Sequence, residues 1–139
     1  MVHFWKIYCR SKLEQSAVVW YSSLSQENIE DLERLQKSFA KLVLKNKYTE
    51  YENALLILNL ETLEKRRKEL SLNFAKSCIK NETLTEFFHE KKNIHSIDLR
   101  NTEKYEVFNA NTDRMRESSI IDMQNLLNSD YKQKQAQMK

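Results

Sequence analysis

Apolar residues recur at helical spacing along much of the chain, and they predict a succession of helices. In the first segment, about Val2 to Ser16, Phe4, Ile7, Tyr8 and Leu13 share a face, and Ala17, Val18, Val19 and Trp20 complete an apolar end. Ser22, Ser23 and Ser25 interrupt it, and Ser23 to Gln26 has the spacing of a capping box. A long helix then runs to about Leu44, with a stripe of Ile29, Leu32, Leu35, Gln36, Phe39, Leu42 and Val43. Glu27, Glu30 and Asp31 near its start and Lys37, Lys41 and Lys45 towards its end complement the helix dipole.

Thr49 to Glu52 repeats the capping-box signal ahead of a short helix carrying Ala54, Leu55 and Leu58, which Asn59 to Thr62 breaks. A second long helix is expected from about Leu63 to Ile79, with Leu63, Leu70, Phe74 and Cys78 on one side. A short helix is expected around Phe87 and Phe88. Residues 92–117 are polar and poorly periodic, with at most an extended stretch at Tyr105 to Phe108. Ser118 or Ser119 can cap a last helix using Ile120, Ile121, Met123, Leu127 and Tyr131, before a polar tail. The pattern predicts an all-α fold: a small helical bundle over residues 1–90, and a less ordered extension over 91–139 carrying one C-terminal helix. Phe39, Leu42, Leu63, Leu70 and Phe74 are its expected common core.

Composition sharpens this in one respect. Among 139 residues there is no glycine and no proline, which removes the best residues for positive φ and for rigid turns. Connections must rely on other residues, and Asn46, Asn59, Asn81, Asn93 and Asn101 sit near the expected breaks. The same deficit fits an AT-rich coding sequence or a drifting gene copy. Two cysteines, Cys9 and Cys78, make no disulfide framework, the N-terminus lacks a signal-peptide core, and no apolar run is long enough for a membrane span. The expected setting is intracellular, nuclear or cytoplasmic, with no membrane partner.

Charge is nearly balanced: 23 basic against 20 acidic residues leaves a formal +3, so any nucleic-acid role rests on local clustering. Arg34, Lys41 and Lys45 lie within about 40° of one another on the first long helix, flanked by Lys37 and opposite the apolar stripe. Lys65, Lys68 and Lys76 form a second outward row. Catalytic signals are missing. Asp31, Asp98, Asp113, Asp122 and Asp130 include no adjacent pair to hold two metal ions. Cys78, His89 and His95 are too few and too widely spaced for a zinc site. No catalytic residue, metal or cofactor is assigned. Arg67 falls on the apolar side of its helix and needs a carboxylate, with Glu14 and Glu33 as the candidate partners.

Several phrases occur in a fixed order: Arg10-Ser11-Lys12-Leu13-Glu14, Val19-Trp20, Asp31-Leu32-Glu33-Arg34-Leu35-Gln36-Lys37, Arg66-Arg67, Asn111-Thr112-Asp113-Arg114 and Met123-Gln124-Asn125-Leu126-Leu127-Asn128. In this order and spacing, from about Phe4 to about Asn128, the chain resembles the segment after the catalytic palm in reverse transcriptases of animal non-LTR retrotransposons. The resemblance implies thumb-like helices and a downstream extension without the carboxylates of RNA-directed DNA polymerisation. It also implies weak, sequence-independent grip on the backbone of an RNA–DNA or DNA duplex. Two departures stand out: relatives often have glycine where this chain has Lys45, and proline where it has Ser119. The rival readings are a domesticated helical module that binds a protein partner, and a retroelement remnant without selected function.

Overall fold

A computed structural model describes residues 1–91 and 103–137. Asn93, His95, Asp98 and Asn101 lie outside the described residues. The described residues are mainly helical, without a strand, and the all-α expectation holds. Helix α1 covers residues 2–14, with α-helical Val2–Phe4 and Arg10–Glu14 flanking a π-helical turn, Trp5–Cys9. It is followed by α2 (Ala17–Trp20), α3 (Gln26–Leu44), α4 (Tyr51–Leu58), α5 (Leu63–Lys80), α6 (Asp113–Arg116) and α7 (Ser119–Gln137). The chain divides into two compact units, Met1–Glu69 and Leu70–Lys139. That division falls within α5.

The helix boundaries show how a chain without glycine turns. Ser25, rather than Ser23, caps α3: its side chain accepts the Asn28 N–H. Asn59 ends α4 in the left-handed conformation, φ 50° and ψ 55°. The Asn59 and Leu60 amides then return to the carbonyls of Leu56 and Leu55, as in the cap that usually uses glycine. Ser16 turns the chain between α1 and α2 at φ 55°, and the Trp20 indole closes that corner by donating to the Gln15 carbonyl at 2.9 Å. The stop of α3 has no such compatible residue. Lys45 takes φ 48° and ψ −115°, a region that a Cβ disfavours and glycine tolerates.

In the first unit, Trp5, Ala40, Leu44, Ala54, Leu55, Leu58 and Leu60 form the core, with Phe39, Val43, Tyr48 and Tyr51 packed against it. Trp5 stacks on Phe39 with ring centroids 4.4 Å apart. The long helices are rotated from the expected stripes. The buried line of α3 is Gln36, Ala40 and Leu44, and Leu42 is 60% exposed. On α5 the buried line is Leu63, Arg67, Ser71, Ala75 and Cys78, Leu70 is half-buried and Phe74 is 46% exposed. The common core expected from Phe39, Leu42, Leu63, Leu70 and Phe74 is therefore not formed. Each buried line runs through a small residue, Ala40 on α3 and Ala75 on α5, and the bulkier apolar residues flank it.

Polar side chains complete the first unit. Glu33 accepts the Leu63 amide at 3.1 Å, at the start of α5, and the Tyr51 hydroxyl at 2.5 Å. Gln36, fully buried, donates to the Tyr51 hydroxyl at 3.0 Å and to the Glu61 carbonyl at 2.8 Å. One network thus fastens α3 to α4 and to the entry of α5. Burial, with the bond to Glu33 next in weight, pushes the Tyr51 phenol well above the usual tyrosine range.

The second unit holds a short extended segment by a helix instead of a sheet. Asn128 donates to the Tyr105 carbonyl at 3.0 Å and accepts the Tyr105 amide at 2.8 Å. One turn earlier Gln124 accepts the Phe108 amide at 3.1 Å and donates to the Phe87 carbonyl at 2.7 Å. Glu90 and Tyr105 add an isolated antiparallel bridge. The expected short helix near Phe87 is a single 3-10 turn, Thr85–Phe87. Ile121, Met123 and Leu127 bury the apolar side of α7.

Candidate nucleic-acid interface

Seven basic residues were singled out by the sequence, and the structure sorts them into two kinds. Arg34 is spent on Asp31, with Nη1 to Oδ1 at 2.6 Å. Lys65 pairs with Glu61 and Lys68 with Glu64, each at 2.7 Å and one helical turn away. The mutual pull of Lys65 and Glu61 lowers the carboxyl and raises the ammonium from their ordinary values, led by the hydrogen bond between them. Lys76, also on that row, pairs with Asp130 at 3.1 Å. The outward row on α5 is therefore neutralised by its neighbours.

The remaining three behave differently. Lys37, Lys41 and Lys45 are exposed on α3 and the stop after it, and none has a carboxylate within ion-pair distance among the described residues. Lys37 lies over the Tyr51 ring at 5.8 Å and Lys41 over the Tyr48 ring at 5.5 Å. Lys47, also exposed, follows on the 3-10 turn Lys45–Lys47. The row is thus a set of outward ammonium groups, two of them steadied by an aromatic face. Tyr48, Tyr51 and Lys47 were missed in the sequence. The run Lys45-Asn46-Lys47-Tyr48 followed by Tyr51, basic residues interleaved with rings, was the available signal.

The expected ion pair of Arg67 with Glu14 or Glu33 is absent. Glu14 binds the neighbouring Arg66, Nε to Oε1 at 2.5 Å, and Arg10 at 3.5 Å. Glu33 is taken by the Tyr51 hydroxyl and the Leu63 amide. Arg67 itself is fully buried, and its guanidinium nitrogens have no hydrogen-bond partner among the described residues. It lies over the rings of Tyr21 and Trp20 at 5.4 and 5.8 Å. Burial lowers its basicity, opposed by Tyr21 and by the charges of Glu33 and Glu14. Adjacent helix positions differ by about 100° in direction, so Arg66 reaches α1 while Arg67 turns into the interior.

The aspartates within the described residues are engaged structurally or exposed. Asp31 and Asp113 pair with an arginine three residues on, and Asp130 holds Lys76 and Lys134. Cys78 is buried, and burial pushes its thiol up. Among the described residues, no three His, Cys, Asp or Glu side chains gather where a metal could sit, and no helix is long and apolar enough to cross a membrane.

No protein-family model, no curated protein and no solved structure matches the chain.

Proposed function

We propose that this chain is a non-catalytic, thumb-like fragment of a retrotransposon reverse transcriptase that contacts the backbone of an RNA–DNA or DNA duplex weakly and without reading sequence. The observation that carries the reading is the exposed set Lys37, Lys41, Lys45 and Lys47, which no carboxylate among the described residues pairs. Ammonium groups of this kind contact phosphate oxygens and displace condensed counterions, which gives affinity without base discrimination. The contribution of α5 is withdrawn from the reading, because Lys65 and Lys68 are already paired. Residues of the quoted phrases meet in the first unit, with Glu14 on Arg66, Arg67 over Trp20, and Glu33 on the α5 entry. That convergence supports reading the phrases as parts of one folded unit.

The test is binding of labelled duplex by the full chain across a salt series. Affinity is expected in the range of roughly 10⁻⁴–10⁻⁶ M at physiological salt and should fall steeply as salt rises. Replacing Lys37, Lys41 and Lys45 with Gln should weaken binding equally for unrelated sequences and flatten the salt slope. Binding that is undetectable at about 50 mM salt would sink the proposal. A second reading, a helical module for a protein partner, is favoured by Leu35, Leu42, Leu56 and Ile57, each more than half exposed. Association through those residues would be insensitive to salt.

A further inference from the structure

We infer that the outer face of α1 is a stacking platform for the unpaired bases of a single-stranded nucleic acid. Three observations on that helix converge. First, Phe4 and Tyr8 are 59% and 62% exposed, and Ile7 beside them is 48% exposed. Second, the two rings are stacked on each other, centroids 4.9 Å apart and planes inclined by 29°. The π turn Trp5–Cys9 separates the jobs of neighbouring aromatics. Trp5 goes inward onto Phe39, while Phe4 and Tyr8 stand in line on the outside. A widened turn holds about 4.4 residues, so positions four apart come nearly into register. Such turns recur at functional sites.

Third, the charge around the platform has one sign. Residues 1–13 contain Lys6, Arg10 and Lys12 and no Asp or Glu, and Lys6 donates to the Asn59 carbonyl at 3.0 Å. Lys12 is exposed and in no described ion pair. The first carboxylate, Glu14, is occupied by Arg66 and Arg10. Exposed rings on a segment with a free ammonium group and no acid of its own complement a polyanion carrying flat bases. A base can continue the Phe4–Tyr8 stack on an outer ring face while its phosphate meets Lys12. Rings stack on any base, so the platform takes RNA and DNA alike. It favours strands whose bases are not already paired. The inference extends the proposed nucleic-acid role but uses residues outside the Lys37 row, so either can fail alone.

The experiment uses the full chain with a fluorescein-labelled 12-nucleotide oligo(U), the matching oligo(dT), and a duplex of the same length. Both single strands should bind, and Phe4→Ala with Tyr8→Ala should weaken them by about 10- to 100-fold while leaving the duplex unchanged. Because both rings are exposed, the far-ultraviolet circular dichroism of the double variant should match the parent. Phe4→Leu with Tyr8→Leu keeps apolar area but removes the rings, and it should lose the same affinity. Retained single-strand binding in the leucine variant would overturn the stacking inference. So would single-strand binding that is absent at about 50 mM salt. Sedimentation showing self-association of the parent that the alanine variant abolishes, without any oligonucleotide effect, would assign the face to a protein contact instead. Loss of duplex binding in the lysine variants alone would bear on the proposed function and leave this platform standing.

Discussion

Lys45 offers the sharpest quantitative test of how this chain folds without glycine. Its backbone sits at φ 48° and ψ −115° as it stops the 19-residue α3, and its amide still bonds back to the Lys41 carbonyl. A non-glycine residue in so sparsely populated a region costs about 1–3 kcal/mol. Replacing it with glycine releases that strain but returns about 0.5–1 kcal/mol of conformational entropy to the unfolded chain. Lys45→Gly is therefore expected to stabilise the fold by about 0.5–2 kcal/mol. Lys45→Ala keeps the Cβ and should gain little, which isolates the backbone as the cause. The assay is urea denaturation followed by circular dichroism, read as a shift in midpoint at unchanged slope. If the glycine variant is less stable than the parent, or alanine gains as much as glycine, the strain argument fails. Lys45→Gln also keeps the Cβ, so the binding test described above should not be confounded by stability.

Four further outcomes follow from the packing. Leu63→Ala should cost about 2–5 kcal/mol because the side chain is wholly enclosed, whereas Phe74→Ala should cost far less; comparable losses would show that the α5 face is misplaced. Asn128→Ala strips both hydrogen bonds from the Tyr105 backbone and should cost about 2–4 kcal/mol by denaturation, with a loss under about 0.5 kcal/mol refuting the clamp. Tyr51 keeps its proton longer in the folded state than in the unfolded chain, where it ionises near pH 10 or so. The folded state then binds more protons above that pH, so stability is full below about pH 10 and falls as pH rises. Comparing denaturation midpoints at about pH 8 and about pH 10.5, Tyr51→Phe should show a shallower alkaline loss than the parent.

Much of the fold was legible because the helices are amphipathic and long. The span of α3, the break at Asn59 and the final helix all follow from periodicity and turn chemistry. What escaped was the rotation of the two long helices. Periodicity weights large apolar residues, while the most buried positions of these helices include Gln36 and Ala40 on α3 and Ser71 and Ala75 on α5. Gln36 and Arg67 are polar by type yet fully buried, since one finds a network and the other lies over two rings. The candidate interface was half legible. Basic residues can be placed on a helix wheel, but whether each is already paired depends on carboxylates one turn away, as Lys65 and Lys68 show. The platform on α1 was hidden because an aromatic stripe reads as core, while here Trp5 is buried and Phe4 and Tyr8 are exposed.

The amide clamp on Tyr105 has a consequence for how the chain behaves in a crowd. An extended segment with unpaired backbone groups is a template on which other molecules can add strands. Here Asn128 takes both the amide and the carbonyl of Tyr105, and the Phe108 amide goes to Gln124. A helix side chain has thus filled the place that a neighbouring strand would otherwise fill. The segment is sealed against intermolecular β-pairing along that side, and it is sealed by uncharged groups that neither salt nor moderate pH can release.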